Sequence, residues 1–462
     1  MADSPTPPPQ PAQPAHSRAF QAPTGTRDFY PADLNKLRFI QDAWRRTSIN
    51  HGFDEIDGPT FEHLDLYTVK SGEGIVSELF SFERFGGEKK FALRPEFTPT
   101  LARLYAAKAN ALPKPTKWFW LQNCFRAERP QRGRLREFCQ WNCDVIGGDV
   151  TPEATVEADA DVICCCVDLL LELGLQPSDF VVKVNDRRSL AAILHAHAIP
   201  ETRHQEVFAL LDRGTKVSSE SFDAEAKKLG IPTSLIMWFR GGVHSTSDRT
   251  DKLVRDVLHD SDIALRYLDQ TKALREALAI RGVPSTWFGQ GVIRGLAYYT
   301  GMVFEVHEAS GAERAIAGGG RYDGLIELFG GPPTPAVGFG MGDVVLSLVL
   351  QDRGKFPKDE ELLDRLGLRP DAFVISNGSP EADAQLVPII AALRRAGLHA
   401  RRSYKTSKNV GKLLQDAAKA KARFAVIIES GTQATVKDLD TQQQDAAPTP
   451  LDRLAERVAA KR

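Results

Sequence analysis

The sequence predicts an α+β chain with more than one core: a region built on an antiparallel hairpin, then a small α/β domain. Three observations predict this. At 462 residues the chain is too long for one core, so two or three domains are expected. Two apolar runs, Trp118 to Leu121 and Cys139 to Ile146, flank an arginine-rich loop with a Pro-x-x-Gly turn and so form an antiparallel hairpin. The last part of the chain alternates short apolar strands with helical periodicity, the pattern of a small, mainly parallel α/β sheet.

Residues 1–23 hold seven prolines, including Pro7-Pro8-Pro9, and too little apolar surface to fold, so they read as a flexible tail. This tail lacks the basic start and apolar core of a signal peptide. From Asn35 to Ile49 apolar residues recur at helical intervals (Leu37, Ile40, Trp44), and Gly52 closes that helix. An extended piece from Phe53 to Ile56 ends at Pro59. Residues 196–280 are charged and helix-like, which suggests a helical insertion. Residues 287–305 and 313–317 read as strands, Gly318-Gly319-Gly320 as a sharp turn, and a helix begins near Tyr322. A strand over Ala336 to Phe339 leads through Gly340 into the apolar helix Val344 to Leu350, and 351–370 reads as a polar linker. Beyond it lie the strand Ala372 to Ile375, a helix marked by Leu386, Ile389, Ile390 and Leu393, an extended piece from Leu398, a second helix with Val410, Leu413 and Leu414, and the strand Phe424 to Ile428.

The formal net charge is −1, so any nucleic-acid site must be a local patch. Two patches qualify. Between Phe125 and Phe138 stand five arginines (Arg126, Arg129, Arg132, Arg134, Arg136) against two glutamates, and guanidinium forks suit phosphate oxygens and base faces. Residues 394–423 carry ten Lys/Arg against one acid, Asp416, an expected RNA-facing surface. No apolar run approaches the roughly 18 residues that span a bilayer. The six cysteines fit no zinc spacing and read as buried thiols of a cytoplasmic protein. Neither a phosphate-binding P-loop nor a dinucleotide-binding glycine loop occurs.

Other segments add chemistry to the arginine hairpin. Leu93-Arg94-Pro95-Glu96-Phe97-Thr98 places a carboxylate and a hydroxyl two residues apart, on one face of an extended segment, where they could accept from an ammonium group. A helix N-terminal cap is the plain structural alternative for that pair. Ile293-Arg294-Gly295-Leu296-Ala297-Tyr298-Tyr299 sets an arginine and two tyrosines in an apolar strand, where burying Arg294 is costly unless it faces an anion.

Together these segments resemble the histidyl-tRNA synthetases, a class II aminoacyl-tRNA synthetase family, from Thr24 to about Leu439. Gly25-Thr26-Arg27-Asp28-Phe29 is similar to the family's opening, and the helix and strand ending at Pro59 to its motif 1, the dimer element. Phe125-Arg126-Ala127-Glu128-Arg129 with Phe138 resembles motif 2. Arg294 to Tyr299 and Ala317-Gly318-Gly319-Gly320-Arg321-Tyr322-Asp323-Gly324 resemble the two histidine-specific signatures. Phe424 to Ile428 with Val436-Lys437-Asp438-Leu439 resembles the anticodon-binding domain.

That resemblance implies an antiparallel-sheet catalytic domain over 24–355 with the insertion at about 196–280, a linker at 356–370, and an α/β anticodon-binding domain over 371–462. It implies a homodimer that joins L-histidine to tRNA(His), with ATP as substrate and Mg2+ as its companion. Arg126 and Arg294 would clamp the α-phosphate during adenylate formation. Glu96 and Thr98 would hold the substrate ammonium, Gln140 the carboxylate, and Asp144 and Tyr299 the imidazole, with Tyr298 beside them. Arg126, Glu128, Arg134 and Phe138 would bind ATP, Phe138 by stacking on adenine, and Gln131 and Arg136 would touch tRNA. Three positions depart from the family pattern: Asp144 where many bacterial relatives carry Glu, Ala297 in place of Asp, and Val345 in place of the motif 3 arginine that contacts ATP. The implied rivals are a histidine-sensing regulatory subunit of ATP phosphoribosyltransferase and a nonenzymatic RNA-binding relative. The sensor normally lacks the C-terminal domain and the intact arginine–tyrosine signature, both present here.

Overall fold

The computed structural model describes residues 21–71, 77–213, 218–233, 235–236, 262–284, 286–288, 292, 298–405 and 407–461. Most of the expected N-terminal tail, the centre of the insertion, and Ile293 to Ala297 with Arg294 lie outside the described residues. Internal contacts divide the chain into two units. One holds Thr47–Leu171 and Gln176–Val349 with the opening segment through Asp28; the other holds Phe29–Arg46, Glu172–Leu175 and Leu350–Arg462. The helix Pro31–Asn50 is therefore shared between them.

The first unit is organised by an eight-stranded sheet. In spatial order its strands are β1 (Asp54–Glu55), β5 (Thr116–Phe125), β6 (Glu137–Ile146), β11 (Ala336–Gly342), β10 (Ala317–Arg321), β9 (Met302–Glu308), β7 (Phe180–Asp186) and β8 (Thr286–Phe288). Interior pairs are antiparallel, while β1–β5 and β7–β8 at the edges are parallel. The expected hairpin is β5–β6, in register from Thr116 opposite Ile146 to Phe125 opposite Glu137. A second, antiparallel sheet runs β2 (Phe61–His63), β4 (Lys90–Leu93), β3 (Ser81–Glu83). Phe97 and Trp120 stack face to face at 4.2 Å inside a core with Leu101, Tyr105, Ile146 and Ile326. Burial of such large side chains supplies most of the driving force for this layer.

The expected insertion contains the helices His204–Arg213, Ser219–Lys228 and Asp262–Ile280. Val207, Phe208, Leu210, Phe222 and Ala226 share a local core there with Leu190 and Ile193.

Some elements differ from the sequence reading. Gly318-Gly319-Gly320 is no turn; it lies in the fully buried β10, and the strand expected over 313–317 begins only at Ala317. Glu96 and Thr98 do not share an extended segment, because Thr98 opens the helix Thr98–Ala106, nor is either its cap, since Phe97 occupies that position without a side-chain bond. Tyr298 and Tyr299 precede β9 in a turn and coil rather than lying within a strand. The expected linker contains the helix Asp359–Arg365, held by buried Leu362 and an Arg365–Glu361 pair one turn apart.

The second unit carries a five-stranded sheet in the order β13 (Ala400–Arg402), β12 (Ala372–Ser376), β14 (Phe424–Ile428), β15 (Gln433–Asp438), β16 (Thr449–Pro450). Only β13–β12–β14 are parallel; β15 and β16 are antiparallel, so the sheet is mixed rather than mainly parallel. Ser379 and Asn409 cap the helices Pro380–Arg395 and Val410–Lys419 by accepting from backbone N–H groups. The basic run is less one-sided than its composition suggests. Arg423 pairs with Asp364, Lys421 with Asp359 and Glu360, Lys408 with Asp383 and Lys405 with Asp416. Tyr404, 82 % exposed, has the Arg402 guanidinium 4.7 Å over its ring. No helix among the described residues is long and apolar enough to cross a membrane.

Candidate active site

The site grows from β6. Its two-residue period sends Gln140, Asn142 and Asp144 to one face and Cys139, Trp141, Cys143 and Val145 to the other. On the apolar face Trp141 meets Phe339 edge-on at 4.8 Å. On the polar face the neighbouring strands are stripped of side chains. Register places Gly338 beside Asp144 and Gly340 beside Asn142 in β11, with Gly320 and Gly318 next in β10. A Cβ at position 338 would fall 1.8 Å from Asp144 Oδ1, and one at 320 would fall 2.6 Å from the Met302 carbonyl. These glycines leave a bare sheet floor under a ligand.

Above that floor is a small buried pocket lined by Glu96, Thr98, Arg126, Gln140, Asp144, Tyr298 and Tyr299. All the histidine contacts expected from the sequence meet there except Arg294, which lies outside the described residues. Glu96 accepts a 2.6 Å hydrogen bond from the Tyr298 hydroxyl. Tyr322 donates to Asp144 Oδ1 at 2.6 Å, while Oδ2 is buried with no hydrogen-bond partner. Burial pushes the Asp144 carboxyl up to about 7; the Tyr322 hydrogen bond opposes the shift and the charge of Glu96 adds to it. An N–H donor delivered by a ligand would satisfy that free oxygen. Gln140 Nε2 donates to Asn142 Oδ1 at 2.7 Å, fixing the amide at the pocket wall.

The arginine hairpin is held from below. Arg94, buried, donates to the carbonyls of Asn123 and Gly58, and its guanidinium lies 4.7 Å over Trp120. Arg126 Nε donates to the Pro95 carbonyl at 3.0 Å and its guanidinium lies 5.0 Å over Phe138. From the opening segment, Arg27 pairs with buried Asp343 at 2.7 Å, and Asp343 also accepts from the Cys139 N–H. Burial raises the Asp343 carboxyl, and Arg27 works against that.

Beyond Arg126 a cleft of about 700 Å³ opens, lined by Arg126, Gln131, Arg134, Phe138, Lys183, Glu305, His307, Arg314 and Val345. Arg126, Gln140 and Gly340 border both cavities, so pocket and cleft adjoin at these residues. Glu128 forms an ion pair with Arg134 but is not among the cleft-lining residues. Arg136 turns to the carbonyls of Glu128 and Thr24 and lines neither cavity. Sequence reasoning missed Asn142, Tyr322, Lys183, Glu305, His307 and Arg314. The alternation of β6 held the signal for Asn142; the loop position of Arg314 held none.

A family model described as histidyl-tRNA synthetase matches residues 25–342. A histidine–tRNA ligase of Opitutus terrae is 37 % identical over 436 residues, covering 93 % of this chain and 96 % of that protein. A histidyl-tRNA synthetase structure from Nostoc superposes with a TM-score of 0.74 at 24 % identity, covering 96 % and 99 % of the two chains. A structure from Bacillus halodurans titled both ATP phosphoribosyltransferase regulatory subunit and histidyl-tRNA synthetase reaches a TM-score of 0.69 at 21 % identity, covering 89 % and 99 %. Likeness at that identity shows the fold, whereas the family match spans most of the chain. This chain belongs to the histidyl-tRNA synthetase family.

Proposed function

We propose that this protein ligates L-histidine to tRNA(His) in two steps, through a histidyl-adenylate formed from ATP. The observation that supports the reading is the junction at Arg126: this residue lines both a buried pocket with an unpartnered carboxylate oxygen and a neighbouring arginine-lined cleft. Histidine in the pocket would give its imidazole N–H to Asp144 and its ammonium to Glu96 and Thr98. Its carboxylate would lie by Gln140 and Arg126, facing the α-phosphate. Attack by a carboxylate oxygen forms the new P–O bond as pyrophosphate leaves, and charge gathering on the α-phosphate is met by Arg126 and, by family resemblance, Arg294. The terminal ribose hydroxyl of the tRNA then attacks the acyl carbon and AMP departs.

Phe138 would stack the adenine on the ring face away from Arg126, and Arg134 would meet phosphate. Gln131, at the cleft, would touch tRNA; Arg136 would do so from the hairpin base. Mg2+ would enter on the phosphates of ATP. The second unit would bind the anticodon stem through the cations of the 394–423 surface, since exposed ion pairs of this kind are weak and exchange readily for phosphate. Exposed rings of Phe61, Phe82 and Phe85 support a homodimer. Six free, buried cysteines fit a cytoplasmic site of action.

A histidine sensor would need the pocket but not the guanidinium-lined cleft beside it, which favours the ligase. Charging of tRNA(His) with labelled histidine tests the reading. Histidine- and ATP-dependent acylation of the tRNA is the expected result, and a folded protein that binds histidine yet never acylates tRNA would overturn it.

A further inference from the structure

Arg314 belongs to no motif and stands on the loop between β9 and β10, yet its side chain reaches the cleft wall. The loop is anchored: the side chain of its neighbour Glu313, only 6 % exposed, pairs with Arg132 at the hairpin tip. That tie brings residues 313–314 against 132–134. Gly133 lies at the meeting point with a φ of +75°, and a Cβ there would come 3.3 Å from Val345 Cγ2 and 3.7 Å from Arg314 Cδ. Val345 and Arg314 thus pack against the same point of the hairpin. Val345 is buried and offers only methyl groups to the cleft.

Arg126 and Arg134 face the same cleft, so three guanidiniums border one cavity. Arg314 stays exposed to solvent, and partial desolvation, then the positive charge of Arg134, holds its guanidinium below the ordinary range; Arg126 adds to this, while Glu128 and Glu305 oppose it. Arg134 has Glu128 and Arg126 has the Pro95 carbonyl, but no described residue forms a hydrogen bond or ion pair with Arg314. Like charges gathered around a cavity of this size form a site for a polyanion.

We propose that Arg314 grips the β- and γ-phosphates of ATP, supplying from the β9–β10 loop the cation that position 345 does not carry. The inference rests on the cleft being the ATP site. Arg314 would add a charge-assisted contact that Arg126, committed to the α-phosphate, cannot make. Its role is to bind and orient the leaving pyrophosphate, so the effect should fall on ATP and spare histidine.

The test is histidine-dependent ATP–pyrophosphate exchange by the full-length protein, comparing wild type, Arg314→Ala, Arg314→Lys and the double variant Arg314→Ala/Val345→Arg. The KM for ATP should rise on the order of 10- to 100-fold in Arg314→Ala, the loss expected for one charged hydrogen-bonding partner. Arg314→Lys should fall between wild type and Arg314→Ala, and the KM for histidine should stay within about twofold throughout. The relocated arginine of the double variant should recover most of the lost ATP affinity, which a merely structural role for Arg314 would not allow. An ATP KM in Arg314→Ala within about twofold of wild type would overturn the proposal, as would a double variant no better than Arg314→Ala. Absence of exchange in the wild type would instead refute the ligase reading itself, so the two failures are distinguishable.

Discussion

Asp144→Asn should make the protein more stable above neutrality while weakening its hold on histidine. Burial lifts the folded-state carboxyl from 3.8 to about 7, with Tyr322 pulling it down and Glu96 pushing it up. Between those values the folded protein keeps a proton that the unfolded chain has released. Stability therefore falls as pH rises through that window and levels off above about 7. At about 1.4 kcal/mol per unit the accumulated loss is about 4 kcal/mol. Asparagine has the same shape, its Oδ1 can still accept from Tyr322, and it carries no ionisation cost. Urea unfolding should show the two proteins within about 1 kcal/mol of each other near pH 4 and the variant ahead by about 4 kcal/mol near pH 8. The functional cost is the charged acceptor at Oδ2, about 1.5–3 kcal/mol, or roughly a 10- to 150-fold rise in the histidine Kd by calorimetry. A stability profile that overlays wild type across the pH range would refute the assigned ionisation, and an unchanged histidine Kd would refute the assigned contact.

Tyr298→Phe removes the hydroxyl that orients Glu96 and should raise the KM for histidine about 5- to 10-fold with the KM for ATP unchanged in pyrophosphate exchange. Phe138→Ala removes an aromatic platform worth about 1–3 kcal/mol and should raise the KM for ATP about 10-fold or more while sparing histidine affinity. Arg321→Ala strands buried Asp159, which Arg321 contacts at 2.6 Å, and should cost about 3–5 kcal/mol in denaturant unfolding. The triple variant Arg401→Gln/Arg402→Gln/Lys412→Gln should weaken tRNA charging and flatten its salt dependence while pyrophosphate exchange continues at the wild-type rate.

Arginine density between two apolar runs made the hairpin legible. Gln140 and Asp144 came only from the family resemblance, and the two-residue period of β6 explains why the fold sets both on one face. Features that depend on distant partners were not legible. Gly318-Gly319-Gly320 reads as a turn because glycine is locally permissive, but its reason is the close approach of Met302 and Tyr299 to Gly320. Strand direction in the second unit cannot be read from a two-residue period, so the antiparallel β15 and β16 were missed. The basic run looked uncompensated because Asp359, Asp364 and Asp383 lie elsewhere in the sequence and meet it only in the fold. Arg314 was invisible because a loop side chain takes its direction from what anchors the loop, here Glu313 on Arg132.

On the reading proposed above, the pocket and the cleft act as one adenylation site joined at Arg126. Pyrophosphate exchange into ATP, measured with the purified full-length protein with and without histidine, tests it most directly. Exchange should depend on histidine, be abolished in Arg126→Ala, and persist without tRNA. Absence of exchange from folded wild-type protein whose histidine binding is confirmed by calorimetry would contradict it.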